Sequence, residues 1–84
     1  MEKEKLESRF ISPSDDKEKL LHAARGLGYK FLIEIVPDEG QEECAWVAPD
    51  AEELIKTCVM INETHSYRIY PIETVLNWDL ISEN

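Results

Sequence analysis

Basic residues nearly run out after position 30. Residues 31–84 contain only Lys56 and Arg68 against twelve carboxylates, while residues 1–30 hold seven bases and six acids. The formal charge of −9 is therefore concentrated: net −10 in the later part against +1 in the earlier one. The Coulomb attraction that draws basic proteins onto phosphates would here oppose direct contact with DNA, RNA or an anionic membrane. A concentrated negative field favours a basic or cationic partner instead.

Long apolar runs are also missing. None approaches the roughly 18 residues needed to cross a bilayer, and the amino terminus has no apolar stretch of the kind that directs secretion. Cysteine is sparse: Cys44 and Cys58 stand fourteen positions apart with no CxxC pair. That usage fits reduced thiols in a cytoplasmic protein better than a disulfide scaffold. With 43% apolar and 32% charged residues the chain has the composition of a folded domain rather than a disordered one. At 84 residues it is expected to form one domain with one compact core.

The pattern along the chain predicts an α+β fold. Residues 1–9 alternate charges around Leu6 and are expected to be a frayed helical turn or a loose tail leading to Phe10 and Ile11, so that 1–11 forms a loose lead-in. Ser12, Pro13, Ser14, Asp15 and Asp16 have the chemistry of a helix start. Leu20, Leu21, Ala24 and Leu27 then recur at helical spacing until Gly26 and Gly28, which predicts a helix over about 14–27. Tyr29, Phe31, Ile33 and Ile35 alternate with Lys30, Leu32, Glu34 and Val36, the period of a strand. Turn residues follow around Gly40, and 43–48 reads as a return strand presenting Cys44, Trp46 and Ala48 on one face.

Asp50 and Glu53 match a capping box, and Ala51, Leu54, Ile55, Cys58 and Val59 continue as a helical stripe, predicting a helix over about 50–61. A competing reading makes 59–62 a strand, because its residues include β-branched ones. Residues 66–70 suit a third strand, and Pro71 opens a last helix with Ile72, Val75, Leu76 and Leu80 on one face. The expectation is one acidic domain, a short antiparallel sheet of about three strands packed by two or three helices.

Chemistry-bearing motifs are few. Asp38 to Glu43 does not reproduce the ligand order of a calcium loop, and Cys44, Cys58, His22 and His65 lack the spacing of a zinc site. Both cysteines fall on predicted apolar faces, where a thiol behaves as a small hydrophobe. No nucleophile elbow, P-loop or dinucleotide fingerprint occurs, and the G-x-G at Gly26 and Gly28 precedes a strand, the reverse of the phosphate-binding order. These features imply no enzyme, no metal and no cofactor.

What is present is a run of carboxylates without a base among them: Asp38, Glu39, Glu42, Glu43, Asp50, Glu52 and Glu53. Read one at a time, these acids are ordinary polar turn residues, or serve a helix dipole at about 0.3–1 kcal/mol each. Read together they form a negative surface able to receive Arg or Lys side chains, with Tyr70 and Trp78 as candidate aromatic anchors. The leading expectation is a non-catalytic inhibitor that occupies the basic surface of a nucleic-acid-binding protein as a partial mimic of nucleic acid. Size and charge are those of small phage antagonists of bacterial defence, of the anti-CRISPR or anti-restriction kind. The alternatives are an immunity protein or antitoxin against a basic toxin, and an assembly subunit forming a homodimer through the strand at 66–70.

Overall fold

A computed structural model describes residues 6–82, the side chains of 78–82 excepted. Seven elements follow in order: β1 (Arg9–Ile11), α1 (Lys17–Leu27), β2 (Phe31–Ile35), β3 (Cys44–Ala48), α2 (Ala51–Asn62), β4 (Tyr67–Pro71) and α3 (Ile72–Ser82). The strands form one sheet in the order β1-β3-β2-β4, every neighbouring pair antiparallel. The fold is α+β, with four strands where the sequence suggested about three.

The fourth strand is β1. It pairs Arg9 with Val47 and Ile11 with Ala45, so the expected loose lead-in is built into the sheet from residue 9. Two further contacts hold the segment before it. The Tyr29 hydroxyl donates to the Glu7 carbonyl oxygen at 2.6 Å, and the Ser8 N–H donates to Glu53 Oε1 at 3.1 Å. Residues 1–5 lie outside the described part.

Both faces of the sheet are covered. Leu32, Ala45 and Val47 pack with Ile11, Leu21, Ala24, Ile72 and Leu76 on the side of α1 and α3. Ile33, Ala48, Cys58 and Ile61 pack on the side of α2. Successive strand residues point to opposite faces, so the neighbours Leu32 and Ile33, each fully buried, feed different cores. Tyr29 was expected to share the face of Ile33. It precedes β2, escapes the strand alternation, and packs in the opposite core with Leu32.

Helix ends follow local chemistry. Asp16 caps α1 by accepting the Lys19 N–H at 3.2 Å, so this helix begins at Lys17, three residues later than expected. Residues 12–15 form a separate turn, in which Asp15 Oδ2 accepts the Ser12 N–H at 2.9 Å. Gly28, at φ 103°, ends α1: its N–H and that of Tyr29 donate to the Arg25 and Ala24 carbonyl oxygens. These two bonds are those of a Schellman motif, and its left-handed residue is the reason for glycine there.

Asp50 caps α2 as expected, accepting the Glu53 N–H at 2.9 Å, and the competing strand at 59–62 is helix. The buried stripe of α2 is nevertheless rotated from the expected one. Glu53, Thr57, Cys58 and Ile61 are buried, while Ile55 and Val59 are exposed. The cause is β1. The Ser8 and Thr57 hydroxyls lie 2.7 Å apart, both near the Glu53 carbonyl oxygen, and the Glu53 carboxylate accepts the Ser8 N–H instead of completing a capping box. With their polar groups satisfied, Glu53 and Thr57 occupy the β1 side of α2.

Candidate interaction surface

Strand directions sort the loops between two ends of the sheet. The turn between β2 and β3, the entry to α1 and the exit from α2 lie at one end; the entries to α2 and α3 lie at the other. At the first end, residues 38–41 make a tight turn closed by the Gln41 N–H donating to the Asp38 carbonyl oxygen at 2.9 Å. Gly40, third in the turn at φ 84°, gives it type II character. Asp38, Glu39, Glu42 and Glu43 are all exposed on this connection.

Other segments bring charges of both signs to the same end. A cleft of about 350 Å³ opens there, with Asp15, Lys17, Glu34, Glu43, Cys44 and Arg68 among its lining residues. Asp15 arrives from the turn before α1, and Glu34 from β2. Lys17 Nζ lies 2.6 Å from Glu34 Oε2, a half-exposed ion pair worth little to stability. His65, just past α2, places Nε2 3.7 Å from Asp38 Oδ2, an ion pair only when the imidazole is protonated.

The remaining predicted site residues are elsewhere. Asp50, Glu52 and Glu53 sit at the start of α2, and the full length of β3, about 13 Å for four strand steps, separates them from the turn. The expectation that both groups project from neighbouring ends is not met, because β3 carries the chain from one end to the other. The helix group is also engaged within the molecule. Asp50 is the cap, Glu53 is only 8% exposed, and Lys56 Nζ lies 3.6 Å from Glu52 and 3.5 Å from Glu53.

Tyr70 is half-buried against the α1/α3 core, while Tyr67 packs on the opposite face with the α2 core. Trp78 belongs to α3, and its side chain lies outside the described residues. Trp46 is half-buried on the α2 face, its ring 5.4 Å from that of Phe10. Sequence reasoning missed Asp15 and Glu34 as neighbours of the turn, since only the sheet order brings them there. It also missed the exposure of Ile55, Val59 and Ile69.

Reactive groups are subdued. Both cysteines are free. Burial pushes the Cys58 thiol above its ordinary range despite a hydrogen bond with Tyr67, and Tyr67 is raised in turn, chiefly because an ionised Cys58 would lie beside it. Among the described residues no group of three or more His, Cys, Asp or Glu is arranged to hold a metal, and no helix is long and apolar enough to cross a membrane. No protein-family model, curated protein or solved structure matches this chain. Any functional reading therefore rests on the chemistry of the surface itself.

Proposed function

We propose that this is a non-catalytic, cytoplasmic binding protein that occupies the basic surface of a nucleic-acid-handling protein, presenting the β2–β3 end of its sheet in place of phosphates. The observation that carries the reading is positional: four exposed carboxylates, Asp38, Glu39, Glu42 and Glu43, share the one connection between β2 and β3, at the end where a cleft lined by charges of both signs opens. The 36–43 connection is held at both ends by paired strands and closed by its 38–41 turn, which limits the freedom these charges have to lose, and a basic groove made for a phosphate backbone is complementary to that array. Asp50, Glu52 and Glu53 belong to the architecture of α2 rather than to this surface. An immunity protein against a basic toxin would use the same physics, and the partner's identity separates the two.

The test begins with capture of the partner from the source cells and its titration by calorimetry with the parent and with the combined variant Asp38→Asn, Glu39→Gln, Glu42→Gln and Glu43→Gln. The variant is expected to keep the fold and to lose at least about tenfold in affinity, or about 1.4 kcal/mol. Parent affinity should fall as salt is raised, because the attraction is screened. Equal affinities for parent and variant would remove the turn from the interface.

A further inference from the structure

The outer side of β4 ends the sheet, and among the described residues no strand pairs with it. In an antiparallel ladder, a residue that exchanges hydrogen bonds with one neighbour turns both backbone groups that way, and the next residue turns them the other way. The Val36 N–H donates to the Ser66 carbonyl oxygen and the Ile72 N–H to that of Lys30, in the register that pairs Arg68 with Glu34 and Tyr70 with Leu32. Positions 66, 68, 70 and 72 therefore face β2. Tyr67, Ile69 and Pro71 face outward, offering three carbonyls and two N–H groups, since proline has none.

Beside this edge a groove of about 330 Å³ runs between α2 and β4, lined among others by Ile55, Cys58, Val59, Asn62, Tyr67 and Ile69. None of the lining side chains is charged at neutral pH. Its walls stand in water: Ile55 is 63% exposed, Val59 62% and Ile69 44%.

We infer that a second copy of this chain occupies this face, its β4 adding antiparallel across a two-fold axis at Ile69 to make a continuous eight-stranded sheet. The outward backbone pattern is self-complementary. Ile69 opposite its own counterpart exchanges two N–H···O=C bonds, and each Tyr67 N–H meets the carbonyl of the opposing Pro71. The N–H that proline lacks falls on the outermost pair of the ladder. The same axis merges the two grooves into one apolar trough, floored by both Ile69 side chains and walled by Ile55 and Val59 of each α2. Charge selects the occupant as well. A basic partner finds no carboxylate to grip in this groove, whereas two chains of net −9 approach each other most easily across an uncharged strip.

This association has a salt response opposite to that of the acidic end: screening weakens the repulsion between like-charged copies, so dimerisation tightens as salt is raised. Sedimentation equilibrium of the parent, from micromolar to near-millimolar concentration at low and high salt, is expected to show a monomer–dimer equilibrium with that dependence. Val59→Glu changes an exposed side chain, so circular dichroism should be unaltered while the dissociation constant rises by about tenfold or more. Ile69→Cys should give, under mild oxidation, a covalent dimer linked at position 69 in both copies. Directly opposed residues of a bonded pair lie about 5.5 Å apart, within the span of a disulfide. A parent that stays monomeric throughout would overturn the inference and leave the edge to a strand of some other protein. A dimer indifferent to Val59→Glu, or linked at other positions, would overturn it equally.

Discussion

The backbone N–H of Ser8 donates to Glu53 Oε1 across 45 residues of sequence, and this bond ties the residue just before the first strand to the second helix. Glu53→Ala would leave that donor without its acceptor, a loss of about 1–3 kcal/mol, while the Ser8 and Thr57 hydroxyls keep the backbone carbonyl of position 53. Glu53→Gln keeps an oxygen in place and should cost less. Urea midpoints of the two variants measure the difference. An alanine variant as stable as the parent would show that β1 holds without this bond.

Gly28 and Gly26 should respond to alanine with opposite signs. At Gly28 a new Cβ would meet nothing closer than Leu6 Cδ1 at 4.0 Å, so the cost is conformational: a side chain at φ 103° loses about 1–2 kcal/mol. Gly26 lies in α1 with open space around it, so alanine there should gain about 0.5–1 kcal/mol from helix propensity. Thermal melts of both variants provide the check, and shifts of the same sign would contradict the assigned helix end.

Ile33 and Ile55 carry the same side chain in opposite settings. The first is fully buried and the second 63% exposed. Ile33→Ala is expected to cost about 2–5 kcal/mol, enough to unfold a marginal domain, whereas Ile55→Ala in the monomer should stay within about 0.5 kcal/mol of the parent. Chemical denaturation at low concentration separates them, and a large loss at Ile55 would mean that α2 is rotated toward the stripe first read from the sequence.

Alkaline pH should weaken the fold partly through Cys58. Burial raises its thiol above the ordinary value of 9.0, so the native state holds the proton more tightly than the unfolded chain does. The resulting stabilisation is complete below pH 9.0 and is lost as pH climbs through the native value. Cys58→Ala removes this contribution, so its unfolding free energy should decline less between neutral and alkaline pH than the parent's does. Parallel declines would show that the thiol has no part in it.

Elements with a strong local signal were readable from sequence: the alternation of β2, the apolar return of β3, the Asp50 cap and the face of Ile72, Val75 and Leu76. Three residues of β1 carry no comparable pattern, for Arg9 and Phe10 are exposed and only Ile11 turns to the core. Missing β1 displaced the reading of α2, because nothing near Glu53 or Thr57 announces a hydrogen-bond partner 45 residues away. The acidic run was legible as composition but not as geometry. Its division at β3, and the arrival of Asp15 and Glu34 beside the turn, depend on sheet order, which adjacent residues do not encode.

One strand's thickness separates two cores of unequal size. Among the described residues, nine buried ones gather on the α1/α3 side and four on the α2 side. Opening free energies within a native protein follow such inequalities, so α2 forms the shallower cooperative unit and should lift from the sheet before the other layer loosens. Amide protons of α2 would then exchange with solvent sooner than those of β2, making the helix nearest the apolar groove also the more readily displaced of the two layers.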